Sequence, residues 1–198
     1  TQINGSRAWF ATYVSADATN VTLVADVATT DMVSLIFLKV NSGTFKVGTF
    51  LTKTTVGTQS DITGMAAKPK LVFYLPSFLT SANGLNTIIG ATTCESTGLG
   101  VAGDNEGVTE QASVAMFTND NTVLGSTNCK CIVSNTKAGL IFGGSGALAI
   151  DWSISSWDSG GITNNYTTVD ATARYVGFLA IAPAAAAAAT PLMGQIVM

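Results

Sequence analysis

The chain has 198 residues, enough for one domain with its own hydrophobic core. Only 11% of the residues are charged and the net charge is −3, so a basic surface for nucleic acid is excluded. Histidine is absent, which excludes Ser-His-Asp and Cys-His catalysis and histidine-ligated metals. Because about 25% charged residues is usual, we expect either a surface covered by other subunits or a monomer whose surface is mostly Thr, Ser and Asn.

Strand patterns dominate the chain from residue 20 to residue 182. Short apolar runs alternate with clusters of Gly, Asn, Asp and Ser, a pattern typical of sandwiches and barrels, and no window carries a helical stripe. The prediction is an all-β fold: an antiparallel, jelly-roll-like β-sandwich with extended N- and C-terminal arms. The predicted strand regions are 20–40 (two runs), 43–64, 68–78, 112–121, 129–134, 139–144, 147–155 and 173–182.

The pattern divides the chain into three segments. Residues 1–42 are predicted to form N-terminal strands or an arm packed on the main domain, residues 43–182 the sandwich, and residues 183–198 an Ala-rich C-terminal arm. The six alanines after Pro183 favour either a short helix or an ordered arm that lies on a neighbour, because alanine has high helix propensity and no long side chain to immobilise. The predicted assembly contacts are Trp9, Phe10, Pro183, Leu192, Met193, Ile196 and Val197.

The longest apolar stretch, residues 175–189, is interrupted by Pro183. It is shorter than the roughly 20 apolar residues that a membrane-spanning helix needs. No membrane partner is therefore expected.

The glycine-rich segment 96–110 predicts a long surface loop, since it lacks the Gly-Lys-Ser/Thr ending of a phosphate-binding loop. Within it, Asp104, Glu106 and Glu110 lie close together in sequence, and clustered carboxylates suit calcium. Their spacing matches no EF-hand loop. We predict no metal site and no cofactor, and calcium remains the alternative at these three residues.

Three cysteines, Cys94, Cys129 and Cys131, are too few and too irregular for a disulfide framework. Strand alternation places Cys129 and Cys131 on one face, where neighbours seldom form an unstrained bridge. Their C-x-C spacing could belong to a metal site, but a second ligand pair is missing. The prediction is buried free thiols, because free cysteine is commonly a small core residue.

The segment "IDWSISSWDSG" contains two aspartates and two tryptophans, the residue types of a sugar site. Glycosidases need two acids about 5–10 Å apart. In a strand Asp151 and Trp152 point to opposite faces, so these residues do not form one site and we predict no enzyme. Trp152 is predicted in the core. The alternative is a glycan-binding surface made by Trp157, Tyr166 and a loop between them.

Residues 44–182 resemble a β-rich module found in structural proteins of tailed bacteriophages. The opening motif is "VGTFLTKTTVGTQSDITGMAAKPKLVFYL", the middle one "LGVAGDNEGVTEQASVAMFTNDN", and a Cys-containing strand "CKCIVS" and a strand "GALAIDWSIS" follow. The closing motif "DATARYVGFLAIA" is the most specific. Residues 157–169 depart from the module and are interpreted as an insertion before the closing strand.

The resemblance implies a virion building block without catalytic residues. We expect a capsid decoration or cement protein that is assembled in the host cytoplasm and resides on the virion. The expected partners are other copies of the chain, with a trimer favoured, and virion proteins such as the major capsid protein. The alternatives are a receptor- or glycan-binding domain of a tail fibre and a tail-tube subunit.

Overall fold

Twelve β-strands form the described part of the protein, which a computed structural model gives for residues 10–16, 21–27, 43–80, 94–119 and 129–184. These ranges contain no helix, and so none that could cross a membrane. The strands are β1 (Phe10–Ala16), β2 (Val21–Val27), β3 (Thr44–Leu51), β4 (Gly57–Ile62), β5 (Leu71–Pro76), β6 (Cys94–Asn105), β7 (Val108–Asn119), β8 (Cys129–Ser134), β9 (Gly139–Phe142), β10 (Leu148–Asp158), β11 (Gly161–Thr168) and β12 (Tyr175–Ala182).

Two antiparallel sheets pack together as a β-sandwich, which confirms the predicted all-β fold. The six-stranded sheet has the order β3-β12-β5-β6-β7-β8, and the four-stranded sheet has the order β4-β11-β10-β9. The first two strands of the sandwich pair with its last two: β3 with β12 in one sheet, and β4 with β11 in the other. This crossing between sheets is the wrapping of a jelly roll. The strands between them are joined largely as hairpins.

The core lies between the sheets and is built from the inward-facing residues of each strand. In β12, alternate residues from Val176 to Ala182 are buried, as a strand with a period of two requires. Tyr74 of the six-stranded sheet meets Trp152 of the four-stranded sheet edge to face, with ring centroids 5.7 Å apart. Tyr166 is the register neighbour of Trp152 within the four-stranded sheet, and the centroids of their rings are 5.8 Å apart. The prediction that Trp152 belongs to the core is confirmed.

The predicted loop at residues 96–110 is wrong, because this segment forms the β6–β7 hairpin. Glu106 and Gly107 make its two-residue turn, and both have positive φ angles, as a type I′ turn requires. The glycines within β6 are needed for packing: a Cβ on Gly100 would lie 1.8 Å from the carbonyl oxygen of Ala138. The glycines that made residues 96–110 look like a loop are therefore explained by the close approach of neighbouring strands.

The predicted loop between Trp157 and Tyr166 is also wrong. Residues 161–168 form β11, a strand between β10 and β4. Its polar sequence reads as a loop, but Asn164 and Tyr166 point inward and are hydrogen-bonded there. Satisfied hydrogen bonds allow these polar groups to occupy buried strand positions.

The predicted terminal arms fall largely outside the described residues. Within the predicted N-terminal segment, β1 and β2 pair as an antiparallel hairpin, and Phe10 begins β1. Pro183 is exposed directly after β12. The other predicted assembly residues, Trp9, Leu192, Met193, Ile196 and Val197, lie outside the described ranges, so those contacts stay predictions.

Candidate functional site

The outer face of the six-stranded sheet carries a continuous layer of apolar side chains. Alternation turns one set of residues on each strand toward the core and the other set outward. In β5 and β12 both sets are apolar, so the outward set has no core to join. We call this surface the apolar face; its large side chains are Phe45, Val47, Leu51, Leu71, Phe73, Leu75, Leu99, Val101, Val114, Met116, Val133, Leu179 and Ile181.

Strand register places these side chains in rows that run across the sheet. One row crosses four strands through Val47, Leu179, Phe73 and Val101. A second row crosses β6, β7 and β8; its members are Leu99, Val114 and Val133. Because directly opposed side chains in neighbouring strands are about 5 Å apart, the rows form one surface instead of scattered apolar residues.

Seven of the thirteen large side chains of the apolar face are exposed in the single chain, and the other six, which include Phe73 and Leu179, are half-buried. Phe45 and Val47 are each 63% exposed, Leu75 is 59% exposed and Val133 is 76% exposed. Isolated exposed apolar residues are normal, whereas contiguous apolar patches on protein surfaces are typical of interaction sites.

The outer face of the four-stranded sheet has the opposite character. Its outward positions carry small polar residues: Thr58, Ser60, Ser153, Thr163 and Asn165. The hydroxyl groups of Ser60 and Thr163 lie 2.9 Å apart in a hydrogen bond on this exposed face. Such a face is suited to contact with water, in contrast to the apolar face of the other sheet.

Charged side chains of the six-stranded sheet lie away from the centre of the apolar face. Glu110 is exposed near the β6–β7 turn, opposite Gly103. Lys46 and Lys130 alternate with the outward residues of the edge strands, and their ammonium groups donate to the backbone carbonyls of Thr63 and Gly146. Among the described residues, the centre of the face therefore offers apolar contact area and no ionic group.

A polar cluster around Asp61 lies between the two sheets. Asp61 Oδ2 accepts hydrogen bonds from Tyr166 Oη at 2.6 Å and from Asn164 Nδ2 at 2.7 Å. Gln59 Nε2 donates to Asp61 Oδ1 at 2.6 Å. On the opposite sheet, Tyr74 donates its hydroxyl proton to Asn164 Oδ1 at 3.0 Å. The cluster links the two sheets by hydrogen bonds and extends from the buried Tyr74–Asn164 pair to the half-buried Asp61 on the edge strand β4.

Burial decides the proton affinities in this cluster. It raises the pKa of Asp61, and the hydrogen bonds from Tyr166, Asn164 and Gln59 offset that rise only in part. It also raises the pKa of Tyr74 and of Tyr166, so both phenols remain protonated donors. The donors and the acceptor satisfy one another, which is the arrangement of a structural hydrogen-bond network.

Asp104 is the first of the three acids considered for calcium, and its carboxylate already forms ion pairs with two lysines. Its Oδ2 lies 2.9 Å from Lys70 Nζ and 3.0 Å from Lys68 Nζ, and its Oδ1 accepts a hydrogen bond of 2.8 Å from the Gly107 backbone. Hydrogen bonds from Lys70, Lys68 and Gly107 lower the pKa of Asp104 to about 2. The carboxylate therefore anchors the β6–β7 turn.

Glu106 and Glu110, the other two acids, are exposed at and beside that turn. In the part of the chain that the structure describes, no group of three or more His, Cys, Asp or Glu side chains is placed to hold a metal ion.

The two aspartates of β10 lie at opposite ends of the β10–β11 hairpin. Asp151 pairs with Thr168 and Asp158 pairs with Gly161, so the seven-residue separation along the strand is roughly 20 Å. A glycosidase pair needs about 5–10 Å.

Asp151 is also fully engaged: it lies 2.6 Å from Lys137 Nζ and accepts hydrogen bonds from Thr167 and Thr168. Burial raises its pKa, but these partners outweigh burial and hold the pKa below its usual value. Its surroundings are those of a structural ion pair.

The proposed sugar platform of Trp157 and Tyr166 is not present, because Tyr166 is only 1% exposed. Its ring packs against Trp152 and its hydroxyl donates to Asp61. Trp157 is half-buried, and its indole Nε1 donates to Thr109 Oγ1 at 3.0 Å. Tyr166 therefore holds the core together and cannot stack on a glycan.

The prediction of buried thiols is wrong for Cys131, which is free and exposed. It lies on β8 opposite Met116, at the margin of the apolar face. A strand at the sheet edge leaves its outward side chains uncovered in the single chain, which explains the exposure. The side chains of Cys94 and Cys129 lie outside the described part of the structure.

No protein-family model, curated protein or solved structure matches the chain. The surface with the clearest functional character is the apolar face, which sequence reasoning missed. The sequence pattern that indicates this face is found in "LVFYLP" and "YVGFLAIA", where the residues on both faces of the strand are apolar.

Proposed function

We propose that this chain is a non-enzymatic structural protein of a tailed-phage virion, and that its role is capsid decoration. The apolar face carries the proposal, since a surface of this kind suits a subunit that is covered by neighbours in an assembly. The low charge of the chain and the resemblance of residues 44–182 to a phage structural module support the same role.

A decoration protein stabilises a particle by burying surface between subunits. Each square ångström of apolar surface removed from water contributes about 25 cal/mol, so the exposed apolar side chains provide favourable contact energy in an assembly. The partners are other copies of the chain and the major capsid protein. The Ala-rich arm that starts at Pro183 adds a second contact, with Leu192 and Ile196 among its apolar anchors.

The described acids and phenols support a structural role for the interior. Asp61, Asp104 and Asp151 are each engaged with protein hydrogen-bond donors, and their surroundings serve the sheets and turns. The proposal assigns no catalytic residue and no cofactor to the chain.

The test combines native mass with particle binding. Multi-angle light scattering at micromolar concentration measures the oligomer, and co-sedimentation with purified capsids that lack the protein measures binding. A defined oligomer that binds capsids supports decoration. A ring of six that does not bind capsids would show that the chain is a tail-tube subunit and not a decoration protein. A monomer that does not bind capsids would overturn the structural role.

Receptor binding by a tail fibre is the competing function, and it depends on Trp157 now that Tyr166 is buried. Under that function a glycan array gives binding that Trp157→Ala abolishes. The decoration function predicts that neither the wild-type protein nor the Trp157→Ala variant binds glycans.

A further inference from the structure

We propose that the apolar face pairs with the same face of a second copy of this chain, which gives a two-fold dimer. The inference rests on the self-assembly proposed above and names the surface that makes it. Two sandwiches would meet through their six-stranded sheets, with side chains interdigitating as between the two sheets of a single sandwich.

The dimensions of the apolar face fit this partner. Six strands spaced about 4.8 Å apart, with outward residues spread over about six positions of each strand, span roughly 25 Å by 20 Å. The projected area is on the order of 500 Å², and the relief of the side chains adds to it. Small specific interfaces bury about 600–800 Å² on each partner. The projected area lies just below this range, so the face is sized for a small dimer contact that covers all of it.

The chemistry of the apolar face favours its own copy. A two-fold contact brings a patch against itself, so the patch must be self-complementary. A charged patch would meet its own charge, but the centre of this face, around Phe73, Leu75 and Leu99, is apolar. Two such faces bury apolar area without bringing like charges together. The polar outer face of the other sheet remains in water and keeps the dimer soluble.

This geometry differs from the trimer expected from the resemblance. A face-to-face contact is isologous and closes at two copies, whereas a trimer needs the face to pack against a different surface of the next copy. In the described residues, the other broad sheet surface is the hydroxyl-rich one around Ser60 and Thr163, which does not complement an apolar layer.

The test places two lysines at the centre of the apolar face, in the double variant Leu75→Lys with Leu99→Lys. Both side chains point away from the core, being 59% and 48% exposed, so the single chain keeps its fold. Four lysines would meet across the two-fold axis. We expect sedimentation equilibrium to show the dimer dissociation constant raised at least about 100-fold, because unpaired charges in an apolar contact are strongly disfavoured.

The matched control is Thr58→Lys with Ser60→Lys on the outer face of the four-stranded sheet. It adds the same charge at exposed strand positions, and we expect the dimer to remain. Circular dichroism and thermal unfolding check that both variants fold. If the first variant does not fold, Val133→Lys replaces it, because Val133 is 76% exposed on the edge strand β8.

Cys131 supplies a second readout from the margin of the same face. Maleimide labelling with mass-spectrometric mapping measures its reactivity, and Cys131→Ser identifies its signal among the other cysteines. We expect slow labelling in the dimer and fast labelling in the Leu75→Lys, Leu99→Lys variant.

The outcomes separate this inference from the proposed function. A wild-type dimer that the face variant dissociates supports the pairing. A trimer or ring that the variant leaves intact overturns the pairing and leaves self-assembly standing. A monomer with slow Cys131 labelling overturns it in favour of cover by the chain's own segments. If the protein is a monomer and Cys131 is protected only when the protein is bound to capsids, the apolar face is a capsid contact. If the protein is a monomer that does not bind capsids, both the dimer and the proposed decoration function are overturned.

Discussion

Asp61 and Asp104 are aspartates whose surroundings shift their pKa values in opposite directions. Asp61 lies between the sheets, where burial raises its pKa. Asp104 lies at a turn, where Lys70, Lys68 and the Gly107 backbone lower its pKa to about 2. The two residues therefore contribute to stability in opposite ways as pH changes.

The folded state binds the Asp61 proton more tightly than the unfolded state, whose Asp pKa is about 3.9. The contribution of Asp61 is thus fully present below about pH 4 and is lost as pH rises through its folded pKa. Asn at this position does not titrate. We expect Asp61→Asn to gain stability relative to wild type as pH rises above about 4, in urea unfolding measured from pH 2 to pH 8.

Asp104→Asn is the matched comparison and should behave in the opposite way. The contribution of Asp104 is present above about pH 4 and is lost as pH falls toward its folded pKa of about 2. The variant should be less stable than wild type at pH 7 and approach it near pH 2. If the stability differences of both variants are independent of pH, the assigned directions are wrong.

At the scale of the elements, glycines set how closely strands approach. A Cβ on Gly100 would lie 1.8 Å from the Ala138 carbonyl oxygen, and one on Gly139 would lie 1.9 Å from the Trp152 ring. These contacts bring β9 against β6 and β10. A Cβ on Gly103, in the same strand as Gly100, would have ordinary contacts, with the nearest atom at 3.7 Å.

Gly100→Ala should therefore destabilise the protein by about 2–3 kcal/mol, because the clash is with backbone that must move. Gly103→Ala is the control in the same strand and should change the free energy of unfolding by less than about 0.5 kcal/mol. Urea unfolding of both variants measures the difference. Equal effects would show that β9 does not approach β6 as closely as described.

At the scale of the whole molecule, the two sheets differ in what their outer faces offer. Ser, Thr and Asn cover the four-stranded sheet, whereas Val, Leu and Phe cover the six-stranded sheet. The proposed assembly follows from this asymmetry, since one face can remain in water while the other is buried.

We propose that the C-terminal arm provides a contact that is separate from the apolar face. Deleting residues 184–198 should leave the sandwich folded, because β12 ends at Ala182. Thermal unfolding should be nearly unchanged, while co-sedimentation with capsids should decrease through loss of the arm's apolar anchors. A truncated protein that binds capsids as well as the full chain would show that the arm is not a contact.

Sequence alone determined the fold class and the position of most strands, because alternating apolar runs and turn residues are local signals. It also placed Trp152 in the core and excluded histidine chemistry. It did not show that residues 94–105 and 161–168 are strands, since glycine and asparagine there are explained by partners distant in sequence: Ala138 for Gly100, and Tyr74 for Asn164.

Only the tertiary structure decided which apolar residues form the core and which are left outside. In β5 and β12 both faces are apolar, so the pattern cannot tell whether Tyr74 or Leu75 points inward. The four-stranded sheet covers one side of these strands, which buries Tyr74 and leaves Leu75 in solvent. The choice depends on how the two sheets pack, because burial is a property of the assembled sheets and not of one strand.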